Sequence, residues 1–575
     1  MLSMPDSSQA ARPPADRRIR SAADAYLSEL VAIDSLVATY LGLPVGQDRL
    51  PDFSPAGQAG LDDLARATLA RLTEAERAAA ADGGFANDDE RRCARLLRER
   101  LETDLAVSDA GEHLREASNF MAPAVGARGT FLLMPSATED DWAIIARRLT
   151  AVPEALGGYR ASLREGASRG LLAAPRLIES LAGQLGSWQS DGQGWFAGFV
   201  AAAEGPQALS RDLDRAAAAA DSAVADLRDW LLSGYLPGAA GTPDAVGPER
   251  YQLGVRRSNG ASLDLAETYE WGWDQYRQIM AEMVTEADRI LPGATPSEAI
   301  EYLNDHGEVI EGVEEIRVRL QGLMDEAMAN LDGTHFDLAD PVKVVEARIA
   351  PPGSAAAPYY TDPSRDFSRP GQTWLPTLGQ TRFPLWHLVS TWYHEGVPGH
   401  HLQLGQWTYL ARQLSGYQTS IGATSACVEG WALYAERLMD ELGYLQVTGS
   451  RLGYLDAQLM RAIRVIVDIG MHLELTVPAD SPIFAGQAWT PESAVEFFVA
   501  HNGRGRDFAK SEIVRYLGMP GQAISYKVGE RAWLAGRDAA RAARGASFDL
   551  KSWHMAALSL GSLGLDDLAD ELARL

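Results

Sequence analysis

Three of the ten histidines fall within eight residues, in His394-Glu395-Gly396-Val397-Pro398-Gly399-His400-His401. Neutral imidazole is a common zinc ligand, and a carboxylate beside a ligating histidine is placed to activate water at the ion. The run nearly spells the H-E-x-x-H motif of zinc-binding helices. It departs at Pro398, which stands one turn after His394, where the second histidine belongs. His400 and His401 come six and seven residues on. Along a regular helix that is roughly 9 and 10 Å at ~1.5 Å per residue. Neither could then share with His394 an ion that binds nitrogen at ~2.0–2.1 Å. Yet Pro398 removes the hydrogen bond to the His394 carbonyl and clashes with it, while Gly396 and Gly399 permit unusual dihedrals. The sequence therefore has the means to bulge the helix by two residues and return a histidine to His394. His400, first after the Pro-Gly, is favoured, with His401 as the alternate.

A third ligand is expected in the segment 426–438, a helix with Thr424 or Ser425 as its N-cap. Glu429 lies 29 residues after His400, in the first turn and beside Gly430. Glycine there lets another backbone, or a metal, come close. Glu436, two turns on, suits an acceptor for the far nitrogen of a ligating imidazole. Cys427 reads as a small packing residue, and His387, seven residues before His394, sits about 10 Å too far along the helix to ligate.

HEGVPGHHLQ followed by EGWALYAERL resembles the bacterial DUF885 family, helix-rich proteins similar to gluzincin-type zinc metallopeptidases. Weaker matches are Gly-Pro-Glu-Arg-Tyr at 247–251, Ser-Arg-Pro-Gly at 368–371, the segment 464–472 and the segment 520–526. The likeness runs from about residue 20 to the C-terminus. It implies Zn2+ held by His394, His400 and Glu429, with Glu395 as general base. It also implies a mainly α, zincin-like architecture with a deep cleft and a small β-sheet beside the metal-binding helix. A substrate is not implied.

The elements that must position these groups read mostly as helices, over 22–41, 61–81, 88–107, 140–166, 207–232, 263–290, 296–304 and 309–330. The metal-binding helix is expected to begin with Pro384 at its first position. A β-favouring region spans 342–374, with strands expected at 344–349 and 357–361. Prolines confine the second to an edge, where it could pair with an extended peptide, Ala356, Ala357 and Pro358 lining it. The Pro/Gly-rich stretch 235–247 suggests a soft boundary between a helical lobe, 21–240, and a catalytic lobe, 248–575, or one composite domain. Residues 1–20 lack an apolar run and read as a disordered leader rather than a signal peptide.

Composition narrows the classes. The chain has 575 residues, 46% of them hydrophobic, and can bury a large core. Two cysteines, Cys93 and Cys427, supply no disulfide framework, so a reducing, cytoplasmic setting is expected. A net charge of −26 argues against binding a phosphate backbone. The absence of a long apolar run argues against a membrane span. Oligomeric state is not legible.

Two further constellations accompany the motif. Arg461, Arg464, Asp468 and His472 recur at helical spacing as a polar stripe, facing solvent or a wet cavity. Arg464, Asp468 and His472 are expected to orient substrate or support the ligands. Around the break 518–522, Tyr526 is the first candidate to donate to an oxyanion, with Tyr516 behind it. Arg515 or Lys527 would anchor a peptide carboxylate. The expected activity is hydrolysis of amide bonds in short or unfolded peptides. The rival readings are a zinc amidohydrolase of a small non-peptide amide and a non-catalytic helical binding protein.

Overall fold

The structure, a computed structural model, describes residues 17–189, 192–202, 207–351 and 357–575. It is mainly α, with five short strands among the described residues. Burial of apolar faces divides the interior into three principal cores. The largest runs from Tyr251 to Leu572 and surrounds the histidine motif. A second, from Ala117 to Ala239, belongs to the helices before the Pro/Gly-rich stretch. The third joins the helices Arg18–Ile33, Pro55–Ala81 and Asp88–Asp109, and includes Tyr417 from the chain beyond the motif.

Polar contacts reinforce that clasp. Arg20 donates to the carbonyls of Arg412 (2.7 Å) and Gln413 (3.0 Å), and the Gly416 N–H donates to Asp24 (2.7 Å). Arg91 is paired with Glu571 at 2.7 Å, and Arg95 with Asp567. The first helices thus lie on the chemistry-bearing part of the chain.

Several expected boundaries move for local reasons. Of the expected leader 1–20, residues 1–16 lie outside the described residues, and helix has already begun at Arg18. The expected helix 22–41 is two helices. Asp34 ends the first in extended backbone and caps Ser35–Tyr40, its carboxylate accepting from Leu36 and Val37. Residues 309–311 are not helical but form β1 (Val309–Glu311). It pairs antiparallel with β5 (Arg382–Pro384), Val309 opposite Pro384. Pro384 therefore ends a strand, and the ligand helix starts four residues later, at Leu388.

The second sheet has the order β2-β4-β3, with β2 (Val345–Ile349), β3 (Tyr359–Thr361) and β4 (Gly371–Leu375). β2 runs parallel to β4 and β3 antiparallel to it. The outer edge of β2 is occupied by Gln321 of the helix Val313–Leu331. That side chain accepts from the Ala347 N–H (2.7 Å) and donates to the Val345 carbonyl (3.0 Å). Ala357 and Pro358 lead into β3, while Ala356 lies outside the described residues.

Candidate metal centre

The ligand helix Leu388–Glu395 is interrupted after Glu395 and resumes as His400–Tyr409. Its backbone bonds give the size of the insertion. The Gly396 N–H reaches the Trp392 carbonyl four residues back (2.9 Å), as in any α-helix. The Gly399 N–H instead reaches Tyr393, six back (2.9 Å), and the His401 N–H reaches Gly396, five back (3.1 Å). Two residues are thereby looped out, and the Val397–Pro398 bond within the loop is cis. A Cβ on Gly399 would stand 1.9 Å from the His394 oxygen, so the bulge requires glycine there. Trp431, from the second motif, covers it by donating to the carbonyls of Pro398 (3.1 Å) and Gly399 (3.0 Å).

The consequence is that His394 and His400 meet, with ring centroids 4.8 Å apart. Glu429 arrives from the helix Ser425–Glu441, capped by the Thr424 hydroxyl, which accepts from the Cys427 N–H at 3.2 Å. One ligand atom from each of His394, His400 and Glu429 can be chosen so that all lie within 4.8 Å of one another. Glu429 Oε2 is 3.2 Å from His394 Nε2 and 3.6 Å from His400 Nε2.

The donor set fits a cation. Glu436 Oε1 accepts from His394 Nδ1 at 2.8 Å and so fixes the proton on that nitrogen. Ser390, one turn before His394, donates to the other oxygen of Glu436. Nε2 of such an imidazole is a lone pair facing a carboxylate oxygen, an arrangement that repels unless a proton or a cation lies between them. Without a cation, burial would lower the His394 pKa, but hydrogen bonds to Glu429 and Glu436 carry it up to about 9. Burial alone would raise Glu429, and His394 and His400 bring it down to about 2. Burial pushes His400 down to about 4, which keeps its ring neutral. Glu395 stands beside the set, its Oε2 3.9 Å from His400 Nε2. Burial, with Glu429 nearby, pushes it up to about 8 against the pull of His394.

Tyr526 is brought in by a crossing of two helices. A Cβ on Gly430 would lie 2.4 Å from the backbone of Gly529, and one on Gly529 would lie 2.2 Å from the Ala426 carbonyl oxygen. Gly430 thus admits a backbone rather than a metal. Tyr526, one turn before Gly529 on Ser525–Arg544, stacks on His394 with centroids 6.4 Å apart. Arg464 lies over its ring at 4.6 Å. The Tyr526 hydroxyl has no hydrogen-bond partner among the described residues and is free to donate.

Other expected residues are placed differently. His401 cannot be the alternate ligand, because both its nitrogens are engaged. Nε2 donates to the Val342 carbonyl (2.7 Å) and Nδ1 accepts from the Tyr360 hydroxyl (2.9 Å), tying β3 to the motif. Tyr516 donates to Glu512 (2.6 Å) and receives Arg464 Nε (2.9 Å), so its hydroxyl is committed. Arg515 is held by Glu512 through two nitrogens and by Gln522. Lys527 is fully buried on Glu530 (2.5 Å) and Gln458 (3.0 Å) and offers no charge to a substrate.

The polar stripe faces neither solvent nor the ligands throughout, since every residue of Ser450–His472 but Arg451 is buried. Arg461 touches Glu436 at 3.4 Å, but Asp468 accepts from the Tyr251 hydroxyl (2.9 Å) and the Gly521 N–H (3.1 Å). His472 donates to the Tyr516 carbonyl (3.2 Å). These two brace the 516–521 turn rather than orient substrate. Sequence reasoning missed Ser390 and Glu512. Ser390 was within reach, lying one turn before His394 on the same face. Glu512 gave no signal, because its role depends on a contact 48 residues away, at Arg464.

Fold and site together define a mainly helical protein carrying a His–His–Glu cluster, its histidines buried and Glu429 half-buried, with a further glutamate beside it. Residues 36–572 match the family described as "Bacterial protein of unknown function (DUF885)", and the chain belongs to that family. Its fold is similar to that of a "putative lipoprotein" from Colwellia psychrerythraea, with a TM-score of 0.81 and 21% identity over 98% of this chain and 99% of that one. A protein from Shewanella oneidensis, described likewise and as of unknown function, has a TM-score of 0.73 and 19% identity, over 96% of this chain and 99% of that one. At such identities the likeness is one of fold. No curated protein matches the chain. No described helix is long and apolar enough to cross a membrane.

Proposed function

We propose that the chain is a zinc-dependent peptidase of gluzincin type, hydrolysing amide bonds of short or unfolded peptides. The observation that carries the reading is the convergence of His394, His400 and Glu429 within 4.8 Å, with Glu395 beside them. Bound there, zinc supplies Lewis-acid polarisation of an amide carbonyl and lowers the pKa of water. Glu395 takes a proton from the attacking water on its carboxylate and returns it to the leaving nitrogen. The Tyr526 hydroxyl donates to the oxygen on which negative charge develops. Glu436, held by Ser390, keeps His394 in the tautomer that offers Nε2. A zincin-like cleft admitting extended chains, with β3 at its side, belongs to this reading.

Mass spectrometry of a defined mixture of short peptides tests it, with wild type and Glu395→Gln compared and zinc content measured in both. Cleavage by the wild type alone, abolished by a chelator, is the expected result. Stoichiometric zinc without cleavage would favour an amidohydrolase of small non-peptide amides. Neither zinc nor cleavage would leave a helical binding protein. Cytoplasmic residence is part of the proposal, supported by two free, buried cysteines. Recovery of lipid-modified protein from the membrane fraction would overturn that part.

A further inference from the structure

Next to the metal centre, the helix Ser450–His472 and the segment 502–516 bring Arg461 and Arg464 into the field of Arg504, and Arg464 into that of Arg515. Two are spent. Arg515 bonds Glu512 through Nε (3.1 Å) and Nη2 (2.9 Å), and Arg464 bonds Glu512 (2.8 Å) and Tyr516 (2.9 Å). Arg461 is half spent. Its Nη2 lies 3.4 Å from Glu436 Oε1, an oxygen already accepting from His394, and its Nε is buried without a partner among the described residues. Its side chain is only 8% exposed.

Arg504 is unspent. It makes no hydrogen bond or ion pair with any described residue, and its guanidinium stands 5.6 Å from the Phe508 ring. Asp456 shares its surroundings but is otherwise engaged, accepting from Asn502 (3.2 Å) and the Gly503 N–H (3.0 Å). His387, also in the field of Arg504, has a buried Nδ1 with no partner. Glu512 serves both Arg464 and Arg515, and no carboxylate of the described residues bonds Arg504. Guanidinium forks match carboxylates in shape as well as in sign, and an unpaired buried donor is costly.

We propose that Arg504, with the unpartnered Nε of Arg461, holds a carboxylate of the substrate beside the metal centre, so that peptides are trimmed from the C-terminal end. The choice of ligand rests on the peptidase reading. An aspartyl or glutamyl side chain offers the same chemistry, and the test separates the two sources.

Calorimetry on Glu395→Gln protein, which binds without turnover, compares three probes: N-acetyl-trialanine, its C-terminal amide, and an amidated N-acetyl peptide with one glutamate. The free acid should bind about 10- to 100-fold tighter than its amide, the range a hydrogen bond to a charged group contributes. Adding Arg504→Gln should abolish that preference, while Arg504→Lys, which keeps the charge and loses the fork, should retain part of it. A melting temperature for each variant verifies folding. Equal binding of acid and amide, or full preference without Arg504, overturns the site. Tightest binding of the amidated glutamyl peptide overturns the C-terminal assignment. Wild-type turnover is scored separately. Preference without turnover removes the peptidase reading and keeps the carboxylate site, and turnover without preference does the reverse.

Discussion

Glu436 never touches the space between the ligands, yet it decides which nitrogen of His394 faces them. Its carboxylate accepts from the Nδ1–H at 2.8 Å and is itself fixed by Ser390. Replacing it with glutamine keeps the shape but weakens that hold. Glu436→Gln should lower zinc affinity by about 10–100-fold, the usual cost of losing a ligand's outer partner. Competition with a chelating dye measures it, and unchanged affinity would remove Glu436 from the centre. Tyr526 makes the opposite kind of contribution. Its hydroxyl has no partner, and its ring is held by His394 and Arg464. Tyr526→Phe should leave zinc content unchanged and reduce kcat by about 10²–10³-fold, as loss of an oxyanion donor does. A loss confined to KM would instead assign it to substrate binding.

The centre depends on an irregularity in one element, and that irregularity was partly legible. Pro398 between two glycines announced a bulge, and the count of two residues followed from the spacing of the histidines. The glycine's steric reason was not visible, because it lies in the His394 oxygen 1.9 Å from the missing Cβ. Gly399→Ala should therefore displace His400 and leave zinc well below one per chain, with helix content retained in circular dichroism. Full zinc occupancy in that variant would mean the bulge tolerates a side chain. Pro384 misled because its fixed φ suits a helix start and a strand equally. Only the pairing with Val309, 75 residues earlier in the sequence, decides between them. The stripe on Ser450–His472 misled in the same way. Its period gives one face, but Tyr251 and Gly521, which engage Asp468, come from elsewhere in the chain.

At the scale of the whole molecule, buried histidines link stability to pH. His554 accepts from the Tyr434 hydroxyl (2.7 Å) and donates to the His335 carbonyl (3.1 Å), a neutral ring in a closed setting. Burial pushes its pKa down to about 3, with Arg537 lowering and Asp549 raising it by smaller amounts. The folded value is below the unfolded ~6.5, so protons bind the unfolded chain first. Its stabilising contribution is complete above about pH 6.5 and is lost towards pH 3, at about 1.4 kcal/mol per unit. The gap in melting temperature between wild type and His554→Gln should thus narrow between pH 7 and pH 5. A constant gap would mean that His554 titrates alike in the folded and the unfolded chain.

The clasp between the first helices and the rest has its own test. Residues 248–575 expressed alone lack Asp24 for Gly416, Arg20 for the Arg412 carbonyl and Arg91 for Glu571. That fragment should not melt cooperatively, and a sharp melt with stoichiometric zinc would establish it as an independent unit.

The pair Arg91–Glu571 spans 480 residues of sequence. At a translation rate of ~5–20 residues per second, Arg91 leaves the ribosome on the order of half a minute or more before its partner exists. Through that interval the helices 55–109 present to solvent or to a chaperone the faces that Tyr417 and the last helix later cover. Exposure to aggregation then follows from the order of synthesis as well as from the final stability.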